Sequence, residues 1–395
     1  MSLEQLRADF PLVNEVAYLD SASTSLTPEP VLEAMMQYYR EYRANVGRGV
    51  YRLAQVAYQR YRDAHMKVAG FVGCKDDGVL AFTKNSTESI NAVARGLDWK
   101  RGDRVVTTVT EHHSNFLPWL RLRSLGVDLE VIEPGPGPEC ILDLSSFSDA
   151  ITTGTKLVAV AQVSNVLGTI LPVKEIADIC HDRGAMLLVD GAQSVPHIPT
   201  DIPSMKCDFL CFSGHKMLGP TGTGVLWTGK EIEPLMLGGG MVEDVSLNGY
   251  VPKTGYERLE AGTPDIAGGI GLGRAVDYLS RAGMGDVRDH EARLTARLLQ
   301  GLMEIEGVEI YGPADLKHRS GVVSFNVRGM KPQEVALMLD EAANIMVRSG
   351  HHCCIPLMKY LGLKEGTVRA SVYLYNTEDE IEKLLGAVEE IAALA

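Results

Sequence analysis

The sequence predicts an α/β fold. A large domain over residues 21–284 is built on a mostly parallel seven-stranded sheet, and a smaller α+β domain is formed by 1–20 plus 285–395. Three observations carry this expectation. Short apolar runs alternate with helix-periodic segments, the pattern of strand–helix–strand units. Several of the runs are apolar on both faces, as strands covered by helices on both sides must be. From about residue 285 the texture changes to a long helix followed by short strands and two further helices.

In chain order the strand candidates are "GVLAF" (78–82), "RVVTTV" (104–109), "LEVI" (129–132), "LVAVAQV" (157–163), "MLLVD" (186–190), "DFLCF" (208–212) and "GVLWT" (224–228). A helix is expected over 85–97, where Ile90, Val93, Ala94 and Leu97 recur at helical spacing and Asn85 with Glu88 forms a capping pair. The stretch 236–263 is Gly-rich and irregular, a texture often found at functional segments. The smaller domain should hold a helix over 286–305, the strands "VEIY", "GVVSFNV", "IMV" and "TVRASVY", and helices over 331–343 and 378–394. No internal repeat or low-complexity tract interrupts this order.

Bulk composition excludes some classes. The chain has 395 residues, 45% of them hydrophobic, which suits a substantial core. A net charge of −13 argues against a nucleic-acid partner, which would need a basic face. The opening "MSLEQLRADFPLV" carries charges where a signal peptide needs an apolar stretch, and no run is long enough to span a membrane. A cytoplasmic protein without a membrane partner is expected. Seven cysteines, five of them scattered, do not form a secreted disulfide framework.

The chemistry gathers where strands end. Ligands of open α/β sheets bind beyond the carboxyl ends of the strands. In "FLCFSGHKMLGPTGTGVL" (209–226), Ser213, Gly214, His215 and Lys216 follow an apolar strand directly. A lysine held there in partial burial has a depressed pKa and can bond covalently to a carbonyl cofactor; an ordinary solvated lysine would fit the same loop. Asp190 ends "MLLVD", and Gln193 follows three residues later. Such an Asp can cap a helix, or it can pair with the protonated ring nitrogen that pyridoxal phosphate (PLP) needs as an electron sink. Ser86 and Thr87 open the helix 85–97, a place that suits either a phosphate group or plain capping.

In "TEHHSNFLPW" (110–119), His112 could lie flat on an aromatic cofactor and move protons, or simply cap a turn. Asn165 sits past another strand and could orient a carboxylate or close a turn. Arg369 falls inside an apolar strand, where it needs either a substrate carboxylate or an internal acid. The last motif is "SGHHCC" (349–354). Its contiguous residues lack the spacing of a metal site, and a bond between neighbouring cysteines would be strained. Packing or a reactive thiol remains for Cys353 and Cys354.

With these motifs in view, the chain resembles the class V aminotransferase family with the fold-type-I PLP architecture, and within it the group II (SUF-type) cysteine desulfurases. The resemblance is carried by "AYLDSAS" (17–23), "STESINAVA" (86–94), "TEHHSNFLPW", "VSNVLGTI" (163–170), "VDGAQSVPH" (189–197), "FSGHKMLGPTGTGVL" (212–226), "EAGTPD" (260–265), "VRSGHHC" (347–353) and "VRASVYLYNTEDEI" (368–381). It implies that the large domain binds PLP and that Lys216 holds it covalently. It implies that Asp190 pairs with the ring nitrogen, Gln193 bonds the ring hydroxyl, and His112 stacks on the ring. Ser86, Thr87, Ser213 and His215 would hold the phosphate, with Thr263 reaching the phosphate of a neighbouring subunit in a homodimer. Asn165 and Arg369 would bind the carboxylate of L-cysteine, and Cys353 would take its sulfur as a persulfide. No metal is implied. Alanine is the expected product, and an iron–sulfur assembly protein the expected sulfur acceptor. The family's relatives include selenocysteine lyases and other PLP lyases, which form the alternative reading. The chain departs from many relatives at Cys354 (commonly alanine), Tyr51 (commonly histidine) and Lys84 (commonly arginine).

Overall fold

The apolar runs form one seven-stranded sheet, from Val79–Thr83 to Gly224–Thr228 in chain order. The computed structural model describes residues 3–47, 49–74 and 78–395. Across the sheet the strands run 79–83, 224–228, 209–213, 186–190, 155–161, 104–108 and 128–132. All point the same way except 224–228, which is antiparallel to both neighbours. The connection from Ser213 to Gly224 is too short for a crossover helix, so the chain must turn straight back.

Alternation within the central strands explains why they read as continuous apolar runs. Val158, Val160, Leu187, Val189, Leu210 and Phe212 face one core, which includes Leu272, Val276 and Leu279 of the helix Ile266–Ala282. Leu157, Ala159, Leu188, Phe209 and Cys211 face the other, with Ile90 and Val93 of the helix Ser86–Gly96 and with Trp119. Successive residues point to opposite faces, and both faces are dry. Each Val, Leu, Ile or Phe among them contributes about 1.5–3 kcal/mol by leaving water.

A second, antiparallel sheet has the order 308–311, 322–327, 367–371 and 348–350. The helices Met284–Glu304 and Glu378–Ala393 supply Leu294, Leu298, Leu302, Leu384 and Val388 to its core. One expected strand lies elsewhere. The "IMV" stretch does not join these strands; Ile345–Met346 pairs in parallel with Ala17–Tyr18. The preceding helix ends at Asn344 in a left-handed conformation (φ 48°), which delivers the chain first to the N-terminal segment. The less apolar Arg348–Gly350 then completes the sheet, and periodicity could not have singled it out.

The N-terminal segment touches both cores. Leu6, Phe10 and Val13 pack beside Tyr278 and Tyr375 at the larger sheet, whereas Ala17 and Leu19 pack at the smaller one. Residues 1 and 2, part of the segment expected to join the smaller domain, lie outside the described residues. The irregular stretch 236–263 contains an exposed hairpin, Val242–Ser246 paired with Gly249–Pro252, that its glycine content concealed. No helix among the described residues is long and apolar enough to cross a membrane.

The loop 164–170 is locked to the smaller sheet. Ser320 N–H donates to the Gly168 carbonyl, and Ile170 N–H to the His318 carbonyl, both at 2.8 Å. Gly312 closes this contact at φ 93°, and a Cβ there would lie 2.1 Å from the Leu167 carbonyl oxygen. Gly312→Ala should therefore destabilise the protein by about 2–3 kcal/mol, through backbone strain plus the clash. A denaturant midpoint equal to that of the wild type would show the contact to be slack.

Candidate active site

The carboxyl ends of the parallel strands open into one cleft. Ten of the twelve residues singled out by sequence line it: Ser86, Thr87, His112, Asn165, Asp190, Gln193, Ser213, His215, Lys216 and Arg369. Cys353 stands beside the cleft, in contact with the lining residue Arg348. Thr263 does not reach it. It lines a separate depression, where the Asn45 amide lies 3.5 Å from its hydroxyl.

Lys216 and Asp190 come from adjacent strands. Cys211 pairs with Asp190 in the sheet, and the chain then turns through Gly214–Lys216 to bring the amine over the cleft floor. Burial drives the Lys216 pKa down to about 8, against the opposing pull of Asp190. Burial raises the Asp190 carboxyl, while Lys216 and the N–H of Ala192 (3.0 Å) hold it down. No helix follows Asp190; the carboxylate closes a turn, so the helix-cap alternative is not realised. Gln193 donates from Nε2 to the Ala22 carbonyl at 2.6 Å and leaves its buried Oε1 without a partner.

His112 caps a tight turn. Its Nδ1 accepts from Ser114 N–H at 3.1 Å, which leaves Nε2 as the nitrogen that carries the proton in the neutral ring. Burial, with Lys216 and His113 adding to it, lowers its pKa to about 3. His215 falls to about 4, again chiefly through burial and then Lys216.

At the start of the helix Ser86–Gly96, Asn85 Oδ1 accepts from Glu88 N–H at 3.0 Å. The Glu88 carboxylate reaches back to Lys84 N–H rather than to Asn85 itself, so the expected capping pair spans one residue more. Ser86 N–H donates to Ser213 Oγ at 2.9 Å, and the two hydroxyls are 3.1 Å apart. The Thr87 hydroxyl lies 2.6 Å from that of Ser114, which in turn is 3.0 Å from His112 Nδ1. These hydroxyls ring a helix N-terminus, a fitting seat for an anion.

Arg369 has an internal acid, one of the two partners left open by the sequence. Its Nη2 donates to Asp20 Oδ1 at 3.0 Å and to Ser23 Oγ at 2.8 Å, and its Nη1 to the Asn165 carbonyl at 2.9 Å. Its Nε is buried and unpartnered, and burial lowers its pKa to about 10. Arg348 reaches the same Ser23 hydroxyl at 3.1 Å and places its other nitrogen 3.7 Å from Cys353 Sγ. Of the three basic residues near Cys353 in sequence, Arg348 alone has a hydrogen bond to the sulfur. His351 bonds the Lys364 carbonyl, and the buried His352 bonds Thr367.

Sequence reasoning missed Asp20, Ser23, Ser114 and Glu111. The first two could have been found only through the resemblance in "AYLDSAS". Glu111 is fully buried before His112, and burial lifts its pKa to about 8. It accepts from Thr108 Oγ1 (2.8 Å), Asn115 Nδ2 (2.7 Å) and Ala161 N–H (2.8 Å), and so ties neighbouring strand ends together. All seven cysteines are free, and among the described residues no cluster of three metal-binding side chains occurs.

The family described as aminotransferase class-V matches residues 17–384. A probable cysteine desulfurase of Methanothermobacter thermautotrophicus is 48% identical over 100% of this chain and 99% of its own. The apo structure of a cysteine desulfurase from Thermococcus onnurineus is 49% identical, with a TM-score of 0.95 over 99% of this chain and 98% of that one. An Escherichia coli cysteine desulfurase in an S-sulfonic acid form is 33% identical, with a TM-score of 0.90 over 100% and 99%. The chain belongs to the class-V aminotransferase family.

The opposition of Lys216 and Asp190 can be titrated. Acylation of Lys216 in the ligand-free protein, followed by peptide mass spectrometry, should show a midpoint near pH 8. Asp190→Asn removes the anion that favours the ammonium form, so the midpoint should fall further. A rise would refute the pairing.

Proposed function

We propose that this class-V family member is a PLP-dependent cysteine desulfurase, which converts L-cysteine to L-alanine and takes the sulfur as a persulfide on Cys353. The observation that carries this is the meeting of three groups around one cleft: the amine of Lys216, the carboxylate of Asp190, and a thiol beside Arg348. The relatives named cysteine desulfurase, alike over their full length, support the same activity.

The residues present fit the cofactor. The cleft offers a partly deprotonated amine, a buried carboxylate at an adjacent strand end and a neutral imidazole. The orphaned Gln193 Oε1 is a buried polar atom in want of a partner, which a ring hydroxyl would supply. Ser86, Thr87, Ser213 and His215 would hold the phosphate, and Asn165 and Arg369 the substrate carboxylate. Bound PLP would supply an electron sink for the substrate carbon next to the carboxylate.

The chain's own groups do the rest. Asp190 keeps a positive charge opposite its carboxylate favourable in a dry site. With a pKa near 8, Lys216 has a substantial free-base fraction near neutrality, so Nζ would hold the cofactor and could take the Cα proton. His112, neutral with its proton on Nε2, can hand a proton across the cleft. Arg369, already oriented by Asp20 and Ser23, fixes the substrate so that its sulfur faces Cys353. Arg348 is a charge-assisted partner for a thiolate at Cys353 Sγ, and the thiolate is the reactive form. Sγ bonds to the substrate sulfur as the carbon–sulfur bond breaks, the β-carbon keeps that bond's electron pair and takes a proton, Cα regains the proton it gave to Lys216, and alanine leaves.

The same reading assigns Thr263 to the neighbouring subunit's phosphate in a homodimer, and residues 21–284 to the cofactor-binding domain with 1–20 plus 285–395 as the smaller one. It also assigns a cytoplasmic role in supplying an iron–sulfur assembly protein. Cys354 takes no sulfur in this scheme. It is fully buried, its thiol donates to the Glu111 carbonyl at 3.2 Å, and burial pushes its pKa well up.

Incubation with PLP and L-cysteine should yield alanine and one added sulfur on the peptide holding Cys353, read by mass spectrometry. Lys216→Ala should lose the borohydride-reducible link to PLP, and Cys353→Ser should lose alanine production. Cys354→Ala should keep the sulfur on Cys353 and cost about 1 kcal/mol of stability through the lost hydrogen bond. Sulfur found on Cys354 in the wild type would reverse the order of the two thiols.

A further inference from the structure

The reaction above leaves His113 without a role, yet His113 touches the nucleophile's segment twice. Its backbone N–H donates to the Cys353 carbonyl at 2.8 Å. Two residues further on, the N–H of Ile355 donates to His113 Nε2 at 3.1 Å. His113 therefore fastens the loop bearing His112 to the loop bearing Cys353 at two points. To accept this bond Nε2 must be unprotonated, so the ring is neutral with its proton on Nδ1. A second proton would turn the acceptor into a donor facing a donor.

The fastening matters because the loop is strained. His352 and Cys353 are successive non-glycine residues in the left-handed region, at φ 51° and 56°. Such a pair persists only where surrounding contacts hold it. Other anchors include Asn165 Nδ2 to the His352 carbonyl (2.8 Å), His352 Nε2 to Thr367 Oγ1 (2.9 Å), and the Cys354 thiol to the Glu111 carbonyl (3.2 Å). None of these changes charge near neutrality. An amide does not titrate, burial lowers His352 to about 2, and burial pushes the Cys354 thiol well up.

We propose that neutral His113 is a positioning residue that pins the Cys353 segment beside the cleft, and that its protonation releases the segment. The inference rests on the proposed desulfurase reading for the importance of Cys353. The titratable or charged groups on the elements around His113 are Glu111 and His112 on its own turn, Arg348, His351, His352, Cys353 and Cys354 on the facing loop, and Lys359 and Tyr360 on the helix Ile355–Tyr360. Partial burial, and then His351, lower the His113 pKa below its ordinary value. The bond is therefore made near neutrality and is lost as pH falls through that lowered pKa. It would set an acid limit on sulfur transfer distinct from titration of the thiol itself.

Hydrogen exchange of the Ile355 amide in the PLP-loaded protein without cysteine, corrected for intrinsic rates, tests this directly. His113→Ala should raise that exchange about five- to tenfold near neutral pH, the loss expected for one hydrogen bond. In the wild type the same loss should appear on acidification through the His113 pKa, which lies below the ordinary histidine value. His113→Gln can still accept through Oε1 but does not titrate, so it should stay protected throughout. An Ile355 amide as protected in His113→Ala as in the wild type, or an acid-triggered loss that persists in His113→Gln, overturns the proposal. Because no substrate is present, a protein that released no alanine would refute the proposed function and leave this result standing.

Discussion

A half-buried lysine at the floor of the cleft is the constraint on which the rest depends. Water is the preferred solvent of an ammonium group, and removing much of it pulls the Lys216 pKa down to about 8. Asp190 stops the fall. The two can oppose each other only if strands 186–190 and 209–213 lie side by side and in parallel, with Asp190 across from Cys211. That neighbourhood in turn requires both strands to be covered on both faces, since their alternate residues feed two separate cores. The reactive amine is thus a consequence of sheet order.

A second constraint joins the two sheets. Arg369 belongs to the smaller sheet but is buried at the cleft, where an unpaired guanidinium would be costly. Asp20 and Ser23, from the N-terminal segment, satisfy most of it, and Arg348 shares the Ser23 hydroxyl. One small network therefore fixes both the arginine at the cleft and the cation beside Cys353. The desolvation it incurs is offset by several charge-assisted bonds, and its geometry makes the position of one arginine depend on the other.

Much of this was legible in the sequence because burial writes itself into composition. All seven strands of the large sheet were visible as apolar runs, within one or two residues at each end. Most of the cleft residues singled out by sequence were visible because they follow such a run, and Arg369 because it interrupts one. What escaped had no such signature. Arg348–Gly350 is a strand by its hydrogen bonds to 367–371, not by apolar pattern. The hairpin at 242–252 is exposed on both faces. Asp20 and Ser23 act on Arg369 from almost 350 residues away, a distance no local periodicity spans. Ser114 and Glu111 looked like filler around a histidine pair, although their hydrogen bonds orient it.

The "HHCC" run shows how unequal adjacent identical residues become once folded. The left-handed turn at His352 and Cys353 points the two thiols into different surroundings. Cys353 remains partly exposed beside a guanidinium, while Cys354 enters an apolar pocket with Cys140, Val166, Leu167 and Leu357. In that pocket a thiol has one advantage over the smaller alanine. It can donate to the Glu111 carbonyl, which lies directly before His112. The second cysteine therefore stabilises the turn that exposes the first, and it also braces the loop that carries the cleft's imidazole. A strained turn, a buried donor and a neutral histidine cap together determine where a single sulfur atom is presented.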